Sequence, residues 1–299
     1  MDFQVKFKEQ CYEYFAENGI KKLDDLKDVY SSNPIKGISR STLETYFSVY
    51  KKEQKQPKKE DLIKVVTIND LHIPYHNKEA IKSVFDFLAD FQPDKLILAG
   101  DILDFYMMSS FDKDPSRKMF IQDEIDIFHD LFKNYKKDVY DSEITFIKGN
   151  HEARLERQVW QNPGFYGLKA LQLPQLLGLK ELDMGYEKYQ KTINGFQFTH
   201  GKVVRAHSSY SAKSEYEHRG CSGMSGHTHR MGSYYKKTED ADHAWFENAC
   251  LCRRDPEYVE GTPNWQNGFS VTYFEDNAFE VHPIYIKESK FRFNGKCYQ

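Results

Sequence analysis

No apolar run in this 299-residue chain approaches the roughly 20 residues that a helix needs to cross a bilayer. The N-terminus lacks a basic start followed by an apolar core, so no signal peptide is expected. A disulfide framework is missing too. Cys11, Cys221, Cys250, Cys252 and Cys297 form an odd, scattered set, which a reducing compartment explains. Cys250-Leu251-Cys252 has the look of half a zinc site, but no second pair answers it, so buried or strand cysteines are expected. Nor is there an overall basic field: the net charge of −3 does not advertise nucleic-acid binding. Internal repeats and low-complexity tracts are absent. These absences point away from membrane and secreted proteins and towards a cytoplasmic one.

What is present is a mixture of 39% hydrophobic and 29% charged residues, which suits a soluble globular fold rather than a disordered chain. The length allows one substantial α/β domain and a small appendage. Charge is unevenly spread. Residues 33–59 hold seven Lys/Arg against two Glu, or +5, whereas residues 1–32 carry −2, leaving −6 for residues 60–299. The polar stretch 51–61, broken by Pro57, reads as a linker.

Before it, Phe7, Cys11, Tyr14 and Phe15 recur at helical spacing, as do Leu23 and Leu26. After the turn at Asn33-Pro34, Ser39 or Ser41 is placed to cap a further helix, with Glu44 completing a capping box on Ser41. Residues 1–56 are thus a helical segment. Its glycine-containing turn and basic last helix suggest a helix-turn-helix. The plainer alternative, which we prefer, is a short bundle that packs on the body or mediates assembly.

Beyond residue 61 the pattern changes to short apolar runs, each ending in polar residues able to bind metal. Residues 63–68 lead to Asp70, 95–98 to Gly100-Asp101, 144–147 to Gly149-Asn150-His151, and 196–199 to His200. Helical patterns through Ile81, Val84, Phe85 and Leu88, and through Ile125, Phe128, Leu131 and Phe132, separate the first three. Alternating strands and helices imply βαβ units and a largely parallel sheet, whose ligands gather at the carboxyl ends of the strands. Residues 158–185, with Pro163, Pro174 and several leucines, read as an inserted helical cap where substrate choice would reside. Aromatic residues there, and Trp245 and Trp265, are expected to serve packing.

In order, the strand ends supply Asp70-Leu71-His72, Asp101, Asn150-His151-Glu152, His200 and His227-Thr228-His229. Carboxylate, amide and imidazole together suit borderline divalent ions better than Ca²⁺. Gly100, Gly149, Gly201 and Gly226 are placed to allow positive φ and close approach beside these residues. Asp70 with His72, and His227 with His229, are two residues apart, so an extended chain would turn both members of each pair to one side.

This ordered set closely resembles the five-block signature of the calcineurin-like metallophosphoesterases, over roughly residues 63–230. The resemblance implies a four-layer αββα sandwich spanning residues 61–299, and two divalent ions, Mn²⁺ first, with Fe, Zn or Ni as alternatives. It also implies Asp70, His72 and His229 around one ion, Asn150, His200 and His227 around the other, and Asp101 between them. Two such ions about 4 Å apart would activate a bridging hydroxide for in-line attack on phosphorus. His151 is implied as general acid, and Asp104 as the partner that orients it. Phe105-Tyr106 follow Asp104 where the protein phosphatase branch has an arginine, which weakens the case for a phosphoprotein phosphatase.

Arg154, just beyond the Asn150 block, is a candidate for substrate phosphate, and so are Arg205 and His207 in the basic, tyrosine-bearing stretch 200–220. The expected activity is hydrolysis of a nucleotide or nucleic-acid phosphodiester. A phosphomonoesterase or phosphoprotein phosphatase is the alternative, and a DNA-binding or assembly protein with an inactive body is an alternative of another class. The latter is disfavoured because every expected ligand is present.

Overall fold

A computed structural model describes residues 3–55, 62–138, 142–255 and 261–299, and the chain divides into two compact units, Met1–Asp61 and Leu62–Gln299. The first unit holds α1 (Phe3–Glu17), α2 (Leu23–Ser32) and α3 (Arg40–Lys55). It has its own core, in which Cys11, Phe15, Leu26, Leu43 and Phe47 are buried together. Ser39 caps α3, its Oγ accepting from Thr42 N at 3.2 Å. Glu44 makes no capping box with Ser41. The helix already runs from Arg40, so Glu44 lies a full turn inside it and pairs with Arg40 at 3.1 Å. Residues 51–55 continue this helix rather than forming a linker, and 56–61 lie outside the described residues.

The second unit begins with β1 (Ile63–Ile68), α4 (Lys78–Phe91), β2 (Lys95–Ala99), α5 (Ile121–Asp138) and β3 (Glu143–Ile147), matching the apolar runs and helical periods of the sequence. Then come α6 (Ala153–Gln161), α7 (Leu173–Leu176), β4 (Met184–Glu187), β5 (Gln190–Ile193), β6 (Phe196–Thr199), α8 (Tyr210–Arg219) and β7 (Gly223–Ser225). The chain closes with β8 (Gly232–Lys237), β9 (Asp242–Glu247), β10 (Asn267–Glu275), β11 (Ala278–Ile286), β12 (Phe291–Phe293) and β13 (Lys296–Tyr298). Residues 158–185 hold the end of α6, two 3₁₀ turns and α7, but enter β4 at Met184, so the segment is not helical to its end.

Two sheets form the frame, in the orders β11-β10-β1-β2-β3-β4 and β5-β6-β7-β9-β8. The first is mixed rather than largely parallel. Strands β1 to β4 run parallel, but the C-terminal hairpin β10–β11 adds to the edge of β1 antiparallel. Strand alternation divides the apolar residues between two cores. Val66, Ile68, Leu96 and Leu98 face α4 and α5 with Val84, Phe87, Phe128 and Phe132. Val65, Ile97 and Ile147 face the second sheet, meeting Phe196, Phe198, Met224 and Phe246. The outer side of that sheet carries α8, with Arg219 over the Trp245 ring at 5.4 Å. The layers are therefore helix, sheet, sheet, helix: an αββα sandwich. Among the described residues, no helix is long and apolar enough to cross a membrane.

Candidate metal centre

The carboxyl ends of β1, β2, β3, β6 and β7 converge, and the polar residues following them meet there. Asp70, His72 and His229 bring donor atoms within 4.8 Å of one another, and so do Asp101, His200 and His227. Asn150 joins the second group, its Oδ1 lying 2.8 Å from His200 Nε2. Asp101 stands between the groups, with Oδ2 at 3.2 Å from His200 Nε2 and 3.9 Å from His72 Nε2.

The backbone reaches this arrangement differently from the extended geometry expected of the paired motifs. Asp70, His72, Asp101, His227 and His229 all sit at positive φ, from 49° to 69°. Each costs a non-glycine residue about 1–3 kcal/mol, a strain that clusters at functional sites. The pairs Asp70/His72 and His227/His229 converge through left-handed turns, not by alternation along a strand. Gly149 and Gly226 also differ from expectation, because neither is at positive φ. Space is what they provide: a Cβ at Gly226 would stand 2.5 Å from Asp70 Oδ2, and one at Gly149 would strike the Asp101 carboxylate and backbone.

Glu152 holds the turn that bears Asp101. Its fully buried carboxylate accepts from Asp101 N, Ile102 N, Leu103 N and Gly149 N at 2.8–3.0 Å. The sequence marked this residue only as a neighbour of His151, and nothing in its spacing revealed four backbone donors. Asp70 is fixed as firmly, its Oδ2 accepting from Asn69 Nδ2 and, at 2.9 Å, from His227 N.

Charge is tightly balanced within the cluster. Burial works to raise the Asp70 carboxyl, but the charge of His229 and its hydrogen bond hold it well below the usual carboxylate range. Asp101 follows the same pattern against His200 and His151. Burial works to lower His200, yet the neighbouring Asp101 carboxylate leaves it raised to about 9; burial opposes His72 too, but its hydrogen bonds with Asp104 and Asp70 raise it well above the usual imidazole range. The buried carboxylates thus favour positive charge within the cluster. The donor chemistry fits metal ions directly. His72 Nε2 and His229 Nε2 face each other at 3.0 Å, a placement that two lone pairs tolerate only with a proton or cation between them.

The sequence profile described as calcineurin-like phosphoesterase matches residues 63–287. The chain belongs to the calcineurin-like phosphoesterase family. It is similar to the Gene 54 protein of Mycobacterium phage L5, 23% identical over 254 residues that cover 79% of this chain and 98% of the phage protein. Among solved structures it is similar to a Vps29 single mutant from Entamoeba histolytica, with 12% identity and a TM-score of 0.41 over 79% of this chain and 97% of that one. A dimetal phosphatase from Danio rerio gives 10% identity and a TM-score of 0.40 over 74% and 95%.

In this calcineurin-like phosphoesterase the two donor groups open into a cleft of about 510 Å³. His151 lies in its wall. Its Nδ1 is 2.8 Å from the Asp104 carbonyl and 3.1 Å from Asp104 Oδ1, which is equally 3.1 Å from His72 Nδ1. Arg154 lines the cleft and donates to His151 Nε2 at 3.1 Å and to the Asp104 carbonyl at 2.7 Å. Arg205 and His207 are not among the lining residues. Both are exposed, and Arg205 Nε donates to Ser214 Oγ at 3.1 Å. The stretch around them is instead spent on α8, where Arg219 bonds Glu215, Gln190 and Gln197. Sequence reasoning missed the outer wall, made by Tyr106, Phe111 and Arg117 with Trp265. Trp265, expected to serve packing alone, meets the His229 ring at 4.3 Å and lines the cleft. Arg117 lies over both the Tyr106 and Tyr75 rings, at 4.2 and 5.6 Å.

Proposed function

We propose that this phosphoesterase hydrolyses a nucleotide or nucleic-acid phosphodiester, using two divalent ions. Asp70, His72 and His229 would hold the first, Asn150, His200 and His227 the second, and Asp101 would serve both. The observation that supports this reading is the Asp101 carboxylate, aimed between two groups of donors on a strained turn that Glu152 anchors at three backbone N–H groups. When bound, the ions would supply Lewis acidity towards the phosphate and a nucleophile near neutral pH. Everything else falls to the chain. Once Arg154 has left His151 Nε2 and that nitrogen has taken a proton from solvent, it would give the proton to the leaving oxygen, while Asp104 orients the ring from Nδ1. Arg154 must release Nε2 for that transfer, and a substrate phosphate oxygen is the acceptor its guanidinium would take instead.

The cleft's rings support the nucleotide class. Phe111 is 74% exposed beside the metal ligands, and Trp265 stands in the same cleft, where flat surfaces favour base stacking. Two arginines near the ligands also suit a phosphomonoester dianion, which is the second reading. Turnover of bis(p-nitrophenyl) phosphate against p-nitrophenyl phosphate with added Mn²⁺ separates them. Diester preference supports the proposal, monoester preference the alternative, and no turnover of either by metal-bound protein refutes both.

A further inference from the structure

Three of the proposed ligands are histidines whose far ring nitrogen has a different kind of partner in each case. His72 Nδ1 meets a carboxylate, Asp104 Oδ1, at 3.1 Å. His200 Nδ1 meets a carbonyl, that of Ala99, at 3.1 Å. His229 Nδ1 meets a sulfur, Cys252 Sγ, at 3.8 Å. Ligating imidazoles ordinarily donate this second N–H to a carboxylate, carbonyl or water, which fixes the tautomer and the ring's aim. Here a cysteine stands in that place.

Its position is determined by more than chance packing. Cys252 is 1% exposed, and Asn267 Nδ2 donates to its carbonyl at 2.7 Å while the next residue's N–H donates to Tyr75 O at 2.7 Å. Leu251 N donates to the Asp70 carbonyl at 3.1 Å, so the same short segment is laced to the first metal position. Cys250 is buried equally, and its Sγ lies 3.4 Å from the Gln266 carbonyl. Trp265 covers the His229 ring from another side.

We propose that Cys252 is a positioning residue for the first metal: its sulfur accepts the His229 Nδ1–H and so presents the Nε2 lone pair to the ion. The proposal rests on His229 being a ligand of that ion. A thiol sulfur is a weak acceptor, so His229 is the least firmly held of the three imidazoles, and the first position is the more easily emptied.

The test is calorimetric titration of the full chain with Mn²⁺, comparing wild type, Cys252→Ala, Cys252→Ser and Cys250→Ala. Cys252→Ala should weaken the first ion about 10–100-fold and leave the second unchanged, the range found when an outer partner of a ligand is removed. Cys252→Ser should recover much of that loss through its hydroxyl, and Cys250→Ala, which removes a neighbouring buried sulfur, should change neither. In long-range ¹H–¹⁵N spectra of the Zn²⁺-loaded protein, His229 should carry its proton on Nδ1. Cys252→Ser should move that resonance and leave those of His72 and His200 in place. Equal losses in both alanine variants would reduce the effect to packing and overturn the proposal, as would no loss in either. His229 Nδ1, Cys250 and Cys252 lie within 4.8 Å of one another, so a third ion lost from both alanine variants would also overturn it, by making the sulfurs ligands. Wild type binding fewer than two ions would instead overturn the two-ion reading beneath it.

Discussion

Glu152→Gln replaces one oxygen of a buried side chain with an amide nitrogen and should unsettle the turn that aims Asp101. Oε1 accepts from Ile102 N and Leu103 N, and Oε2 from Gly149 N and Asp101 N. Glutamine keeps one acceptor oxygen, so whichever way its amide lies, NH₂ confronts two backbone N–H groups. Two buried donors then lose their partner, at roughly 1–3 kcal/mol each. Burial, followed by the charge of Asp101, raises the Glu152 carboxyl, so removing its charge returns part of that cost. A net loss of about 2–4 kcal/mol is expected, a large share of the roughly 5–15 kcal/mol of a typical domain. Urea unfolding of chelator-treated protein, followed by circular dichroism, gives the stability, and metal analysis gives the ions retained. A variant within about 0.5 kcal/mol of wild type, the scale of a neutral surface change, that kept both ions would refute the role assigned to this carboxylate.

His151→Asn should keep both ions yet lower kcat on esters of poor leaving groups by about 10²–10⁴, with a smaller effect on p-nitrophenyl esters; unchanged kinetics would remove it as general acid. His200, raised to about 9 by Asp101 against the lowering effect of burial, must lose its proton to bind metal. Metal uptake at pH 7 should therefore release protons, with apparent affinity rising towards pH 9, and calorimetry in buffers of different ionisation heat detects it. By the same linkage, His200 stabilises the metal-free fold fully below its ordinary 6.5 and loses that contribution as pH rises through about 9. Trp265→Ala should raise KM for a nucleoside phosphodiester about 5- to 150-fold, as expected for a stacking contact of about 1–3 kcal/mol, while affecting bis(p-nitrophenyl) phosphate less; an unchanged KM for the nucleoside substrate would count against base stacking.

The residues of the candidate centre were legible because their chemistry is local: a strand ends, and the next residue or two carries a ligand atom. Strand positions and the division of Val65 from Val66 follow from the same period of two. How the ligands converge was not legible. Positive φ at Asp70 and His229 is imposed by hydrogen bonds from distant backbone, such as Asp70 N to the Gly100 carbonyl and Gln266 N to that of His229, which no spacing encodes. Cys252 and Trp265 escaped for a related reason, since both reach His229 only through long-range contacts such as that of Leu251 N with the Asp70 carbonyl. The loop bearing Phe111 and Arg117 has no periodicity at all. It is held by side chain-to-backbone bonds such as Lys113 Nζ to the Ser109 carbonyl and Tyr106 Oη to the Asp112 carbonyl.

Metal content and phosphodiester turnover measured on one preparation address the two-ion account most directly. Two divalent ions per chain and turnover of bis(p-nitrophenyl) phosphate are expected, with both lost on chelation and regained together when Mn²⁺ is returned. Two ions bound per chain with no turnover would contradict it.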